Sequence, residues 1–270
     1  LHDALPISLT FHLQDNVKFH SGNPLTAADV VWSMRRILHL NLAQASVWKS
    51  YGFSKKNVDK QVTALDDYTV QIVLPKDNDP QLVIYSLGAL GNLGVLDSKT
   101  VQSHEQDNDW GNRWLTTHEA GSGPFMLKSW QKGQQLILIP NPHWQGEKPH
   151  FKRVSVKIIG ESASRRLQLS RGDLDIADSL PVDQLSALKQ EGKVAVAEYP
   201  SLRVTYLYLN NSKAPLNQVD LRRAISWATD YQGMVKGILS GNGKQMRGPI
   251  PEGMWGFDAN AMQYSFDEAK

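Results

Sequence analysis

The chain has 270 residues, of which 41% are hydrophobic and 21% are charged, and these proportions are those of an ordinary globular protein. Its 29 basic and 27 acidic residues leave a net charge of only +2, which argues against a protein that binds nucleic acid through a phosphate-neutralising face. The chain has no cysteine, so disulfides, thiolate metal sites and cysteine nucleophiles are excluded. No stretch reaches the roughly 18 continuous apolar residues that a membrane-spanning helix needs.

The two ends of the chain differ from its body. Residues 1–7 do not share the pattern of the residues after them, and we interpret them as a scar outside the fold. Residues 266–270 have the pattern of a helix start. The chain contains no signal peptide and does not begin with Met. We therefore expect both ends to be cuts in a longer protein.

The first 120 residues predict short strands, turns and helices. Thr26 followed by Asp29 is an acidic form of the capping box that begins a helix, and the residues after it carry an apolar stripe at helical spacing. In chain order the predicted elements are strand 9–13, helix 27–38, strands 62–65 and 68–74, and helices 82–90 and 97–106.

The remainder predicts a hairpin and then alternating strands and helices. The tight turn at Gly121–Pro124, with a change of composition, predicts a subdomain boundary. The alternation after residue 154 predicts an α/β layer with some parallel pairing. In chain order the elements are hairpin 125–130 and 135–139, strand 154–159, helix 162–170, strand 173–177, helix 181–191, strands 194–199 and 204–210, and helices 219–231 and 233–240.

Several segments carry a resemblance to a known family. The segment Leu9–Val30 resembles the signature of the family-5 extracellular solute-binding proteins, the dipeptide, oligopeptide and nickel binding components of bacterial ABC importers. Further segments match the family in the same order: Gly121–Phe125 with Asn141–Trp144, then Gly172–Ile176, then Tyr208–Asp230. Gln14 and Ser21 replace the usual Arg and Asp, and Tyr231 replaces a basic residue. The resemblance covers residues 8–270.

The resemblance implies an α/β fold of the two-lobed, type II periplasmic-binding-protein kind, incomplete at both ends. Residues 8–120 would form an extra subdomain of the first lobe, and 121–207 would form part of that lobe. Residues 208–270 would supply the hinge and the start of a truncated second lobe. Asn210 and Asn211 are the hinge candidates, because Asn tolerates unusual backbone angles and forms local hydrogen bonds.

The function implied by the resemblance is ligand capture for transport. The chain would belong to the substrate-binding component of an ABC importer, which closes on a short peptide in the periplasm and delivers it to a membrane permease. We expect a monomer that is not an enzyme and has no cofactor, metal or nucleic-acid partner. One alternative is the cytoplasmic ligand-sensing domain of a transcriptional regulator with the same fold, and a hydrolase is another. The ligand could also be a sugar or a metal complex.

Two candidate ligand contacts are polar residues at the end of a predicted strand. Asp178 and Ser179 follow strand 173–177 at its carboxyl end, where open α/β sheets bind ligands, and the family resemblance implies contacts to a peptide backbone there. The alternative is that they cap the helix that begins near Pro181.

Three further candidates lie in the first half of the chain. Ser122 belongs to a glycine-rich turn whose backbone could face a ligand, although a structural turn explains it as well. Trp48 and Tyr51 could line a pocket, because aromatic side chains offer contact area at low entropic cost. The alternative for both is simple packing. His12 and His20 do not form a metal-binding pattern, and we interpret them as turn-packing histidines.

Overall fold

The computed structural model describes residues 7–75, 78–89, 91–267 and 269. The chain divides into two compact units, Leu1–Ile158 and Ile159–Lys270. No helix in the described part is both long and apolar enough to cross a membrane. Three predictions fall partly outside the described residues, namely the scar at 1–7, the helix 82–90 and the helix start at 266–270. At Ile7 the scar prediction is wrong, because the Ile7 carbonyl accepts from the Leu74 N–H at 2.9 Å and the side chain packs against the core of the first unit.

The first unit begins with a three-stranded antiparallel sheet. Its strands are β1 (Ser8–His12), β2 (Val62–Asp66) and β3 (Thr69–Val73), in the order β1-β3-β2. β3 is central, and its Val70 and Ile72 are buried. All three strands were expected from the alternation of their side chains, and that prediction is confirmed.

Helix α1 (Ala27–His39) packs its apolar stripe on this sheet. Asp29 fixes its N-terminus, because Oδ2 accepts hydrogen bonds from the Thr26 N–H and hydroxyl, each at 2.9 Å. The other carboxylate oxygen accepts from the Ser98 N–H at 3.0 Å and its hydroxyl at 2.6 Å. The predicted capping box is therefore present, and it also ties α1 to the start of a later helix.

Short helices complete the core of the first unit. They are α2 (Ala45–Ser50), α3 (Val58–Gln61), α4 (Pro80–Gly88) and α5 (Ser98–Ser103), with a single 3-10 turn at Trp114–Thr116. Neither α2 nor α3 was predicted from the sequence. The buried cluster includes Val31, Met34, Leu38, Trp48, Phe53, Val58, Val62, Val70 and Val83.

A second antiparallel sheet closes the first unit. It consists of β4 (Phe125–Gln131), β5 (Gln135–Pro140) and β6 (Val154–Lys157), in that order. The predicted hairpin is β4 and β5, with Phe125 opposite Pro140 and Gln131 opposite Gln135. The predicted boundary near Gly121 falls inside this compact unit, where the His20 N–H donates to the Gly121 carbonyl at 2.9 Å.

The second unit contains four helices in its described part: α6 (Ser162–Arg171), α7 (Val182–Glu191), α8 (Val219–Trp227) and α9 (Tyr231–Gly237). Gly172 and Gly192 end the first two with φ of 80° and 64°, a conformation that glycine adopts without steric cost. Glu191 joins α7 to α6 by accepting from Arg166 at 2.6 Å and from Ser170 at 2.7 Å.

Three strand predictions in the second unit are wrong for this structure. Segments 173–177, 194–199 and 204–210 form no strand, and every strand pairing in the described part of the chain is antiparallel. The physical reason is that a strand exists only when a neighbour accepts its hydrogen bonds. No neighbouring strand among the described residues covers these three segments, and large apolar side chains in them are exposed to solvent: Ile176 is 85% exposed and Leu207 is 72% exposed.

Candidate functional site

Three sequence motifs that are far apart in the chain meet in the first unit. His20 Nδ1 lies 2.7 Å from Glu119 Oε2, and its Nε2 lies 3.0 Å from the Gly123 carbonyl oxygen. Asn141 Nδ2 donates to the same Gly123 oxygen at 2.9 Å. Glu119 also accepts from the Gly121 N–H at 2.8 Å. We call this arrangement of His20, Glu119, Gly123 and Asn141 the loop junction.

The turn after His20 depends on glycine. Gly22 has φ of 91°, which is a left-handed conformation that strains other residues. A Cβ at this position would also lie 3.4 Å from His143 Nε2. The turn therefore approaches the Asn141–Trp144 segment closely, and His20 has the turn-packing role expected for it.

Beside the loop junction, the first unit has a surface cavity of about 780 Å³. Ser122 lines it, so the structure places this predicted residue at an accessible pocket. The cavity carries charges of both signs, from Asp15 and Lys18, and two histidines, His12 and His143. The complete lining is residues 12–18, Tyr68, Thr69, Ser122 and residues 143–146.

The cavity does not have the features of a metal centre. His12 Nδ1 lies 3.3 Å from the Thr69 hydroxyl, and His20 is directed at Glu119 and Gly123. Among the residues that the structure describes, no three His, Asp or Glu side chains converge as a metal site requires. The cavity offers hydrogen-bond donors and acceptors of ordinary polar side chains, which suit a polar organic molecule.

A buried carboxylate, Asp97, supports the turn from behind. Its Oδ2 accepts from the hydroxyls of Ser21 and Thr100, each at 2.5 Å, and from Asn23 Nδ2 at 2.9 Å. Burial alone would raise the pKa of Asp97, but the hydrogen bonds from Ser21, Thr100 and Asn23 outweigh burial and hold the pKa below its ordinary value. The carboxylate form is therefore part of the folded structure.

We expect Asp97→Asn to lower the free energy of unfolding by about 1–3 kcal/mol at neutral pH, because it leaves buried donors poorly matched. The folded-state pKa of Asp97 lies below the unfolded value of about 4. The Asp97 carboxylate therefore contributes fully to the free energy of unfolding at pH values above its unfolded-state pKa. That contribution is lost as the pH falls through the folded-state pKa.

Urea unfolding between pH 7 and pH 3 checks this expectation. The difference in free energy of unfolding between wild type and Asp97→Asn should become smaller as the pH is lowered. Asp15→Asn is the matched control, because Asp15 is exposed and makes no hydrogen bond or ion pair within the described part of the chain. A gap of constant size at every pH would contradict the role assigned to the Asp97 carboxylate.

Trp48 lies in the core of the first unit and Tyr51 packs against that core, and neither residue lines the cavity. Trp48 is fully buried, its indole N–H donates to the Asn92 carbonyl at 2.9 Å, and its ring packs edge-on against Phe53. Tyr51 is half-buried, with its hydroxyl 2.9 Å from the Ser86 hydroxyl. These contacts favour the packing role for both, and the ligand role stays a prediction.

Asp178 and Ser179 lie in the second unit in an irregular segment before α7. Asp178 is exposed and makes no hydrogen bond or ion pair among the described residues. Pro181 occupies the N-cap position of α7, and no side chain caps that helix. The capping alternative is therefore not observed, and the Asp178 carboxylate is free to meet another molecule.

The hinge candidates form a local turn in the second unit. Asn210 Oδ1 accepts from the Ser212 N–H at 3.1 Å and from its hydroxyl at 2.7 Å, which is the Asx turn that this residue type favours. Asn211 is exposed beside it. The turn is formed as the sequence suggested, and the hinge role itself stays a prediction.

Arg165 is a residue of this unit that the sequence did not single out. It donates from Nη1 to the carbonyls of Ile159 and Gly160, at 2.5 and 3.0 Å, and from Nη2 to the Ser179 carbonyl at 3.2 Å. Its partners are backbone atoms, which leave no mark on side-chain patterns. The only sequence signal was the position of Arg165 on the predicted helix 162–170, which precedes Asp178 and Ser179 in the chain.

The loop junction brings together segments that carry the family resemblance, and the polar cavity lies beside it. The family model described as "Bacterial extracellular solute-binding proteins, family 5 Middle" matches residues 7–270. The chain therefore belongs to this family, as its motifs predicted.

One relative and two solved structures illustrate the similarity. The chain is 62% identical over 261 residues to the "Probable D,D-dipeptide-binding periplasmic protein DdpA" of Escherichia coli K12, covering 97% of this chain and 48% of the relative. The periplasmic binding protein DppA from Helicobacter pylori, in complex with the peptide STSA, is 25% identical with a TM-score of 0.74, covering 99% and 53% of the two chains. A dipeptide binding protein from Pseudoalteromonas in complex with Met-Leu is 20% identical with a TM-score of 0.79, covering 100% and 54%.

These similarities confirm the predicted fold class, a mixed α/β chain of the two-lobed periplasmic-binding-protein type. The chain spans about half the length of the curated relatives it matches. The lobe boundaries at 120 and 207 stay predictions.

Proposed function

We propose that the chain belongs to the substrate-binding component of an ABC importer, and that the whole protein captures short peptides in the periplasm and delivers them to a membrane permease. The observation that carries the proposal is the 62% identity, over 97% of this chain, to a probable D,D-dipeptide-binding periplasmic protein. Ligand capture would stabilise a closed arrangement of the whole protein.

The ligand class we propose is a dipeptide of D-amino acids. The 261 aligned residues cover 97% of this chain, so the 62% identity includes residues of both compact units, and this similarity supports a ligand class shared with the relative. The polar cavity at Ser122 offers hydrogen-bond donors and acceptors to the carbonyl and N–H groups of a short peptide. The exposed carboxylate of Asp178 can accept a hydrogen bond from a peptide N–H or ammonium group. We further propose that the protein acts as a monomer and leaves its ligand chemically unchanged.

Calorimetry on the full-length protein tests the proposal. D-Ala-D-Ala is expected to bind at micromolar concentration or tighter, L-Ala-L-Ala more weakly, and a nickel–histidine complex not at all. The recovered dipeptide should be intact after long incubation. Absence of binding to any dipeptide would overturn the peptide assignment, and cleavage of the dipeptide would favour the hydrolase alternative.

A further inference from the structure

The segment around Asp178 has little to hold it in place. We define the Asp178 segment as residues 174–180, between α6 and α7. Within the described part of the chain, its only hydrogen bond is the one from Arg165 Nη2 to the Ser179 carbonyl oxygen, 3.2 Å long. A segment with so few bonds would open readily in solution. One guanidinium therefore supplies the polar restraint on this segment.

The segment is nevertheless held in a conformation that needs a restraint. Ser179 has φ of 53°, in the left-handed region that costs a non-glycine residue free energy. The carbonyl that accepts from Arg165 belongs to this same residue. The bond from Arg165 thus acts where the backbone is most strained, and the neighbouring Asp178 side chain is left exposed.

Arg165 is itself well anchored. It lies in the first turn of α6, and its Nη1 donates to both the Ile159 and Gly160 carbonyls. A guanidinium is a rigid planar fork, so two of its nitrogens can join two backbone segments at fixed geometry. A lysine ammonium has neither the plane nor the span to reproduce these three bonds.

We propose that Arg165 is a positioning residue, which fixes the Asp178 segment so that the Asp178 carboxylate meets an N–H or ammonium group of the ligand. This inference rests on the proposed function, because it assigns a ligand contact to Asp178. Arg165 does not touch the ligand. It acts by keeping Ser179 in its left-handed conformation and thereby limits the directions that Asp178 can take.

The experiment combines limited proteolysis and binding in the full-length protein. Arg165→Ala should speed cleavage by thermolysin within residues 174–180 in the absence of ligand, because the segment loses its one hydrogen bond within the described part of the chain. It should also weaken D-Ala-D-Ala binding about tenfold, as expected for a lost charged hydrogen bond. The affinity of Arg165→Lys for D-Ala-D-Ala should lie between those of the wild type and Arg165→Ala. Arg166→Ala is the matched control, because Arg166 is the next residue on α6 and contacts Glu191, not the Asp178 segment.

A double-mutant cycle separates positioning from a general loss of structure. If Arg165 acts through Asp178, then Arg165→Ala should cost little affinity in a protein that already carries Asp178→Ala. Additive losses of affinity in the cycle, or an unchanged rate of thermolysin cleavage in Arg165→Ala, would overturn the inference. Failure of the wild type to bind any dipeptide would instead overturn the proposed function, and the cleavage rates would still decide whether Arg165 holds the segment.

Discussion

Trp48→Ala should destabilise the first unit by about 3–5 kcal/mol, the range for removal of a large buried aromatic side chain. Trp48 of α2 is fully buried, and its ring packs against the rings of Phe53 and Tyr51. Its removal leaves a cavity and an unpaired carbonyl at Asn92. Urea unfolding followed by circular dichroism checks the loss, since this signal does not depend on the deleted fluorophore.

Two other variants bracket the Trp48 result. Trp48→Phe keeps most of the apolar volume and loses the hydrogen bond to Asn92, so its cost should be clearly smaller. Tyr85→Ala removes an aromatic side chain that is 66% exposed, and it should change stability by less than about 0.5 kcal/mol. If Trp48→Ala cost under about 1 kcal/mol, the assignment of Trp48 to the core would be wrong, and its role as a ligand contact would regain weight.

Asp178→Ala is expected to weaken dipeptide binding by the full-length protein about 10- to 100-fold, while the melting temperature changes by no more than a few degrees. A hydrogen bond to a charged group contributes about 1.5–3 kcal/mol, and each 1.4 kcal/mol is a factor of ten in affinity. Stability should hold because Asp178 is exposed and has no partner among the described residues. Calorimetry gives the affinity and a thermal scan gives the stability.

The matched control for Asp178 is Asp175→Ala. Asp175 is a second exposed aspartate of the same segment, so this variant removes the same charge three positions away. Equal losses of dipeptide affinity in Asp178→Ala and Asp175→Ala would indicate a long-range effect of the negative charge. An unchanged affinity in Asp178→Ala would remove Asp178 from the site.

Much of the first unit was predictable because its signals are local. The alternation in β3 and the capping pair Thr26 and Asp29 depend on residues within a few positions of each other. The strand prediction for segment 204–210 was wrong, because a strand also needs a neighbouring strand to pair with, and its own residues do not encode that neighbour. Local pattern is thus a better guide to helices and hairpins than to strands whose partners are distant.

Parts of the candidate site were predictable from residue type, and others were not. The glycine-rich turn at Ser122 does border a cavity, as its composition allowed. The aromatic character of Trp48 could not distinguish a pocket from a core, since both favour large flat side chains. Arg165 was missed because it donates only to main-chain carbonyls, and any sequence supplies those.

The Gly123 carbonyl has a consequence for recombining this protein with its relatives. The Gly123 carbonyl oxygen accepts hydrogen bonds from His20, about a hundred positions upstream, and from Asn141, 18 positions downstream. A hybrid gene with its crossover between residues 24 and 119 would take the halves of this contact from different parents. Crossovers at 158/159, between the compact units, keep all three motifs from one parent. We expect hybrids of the second kind to fold more often than hybrids of the first.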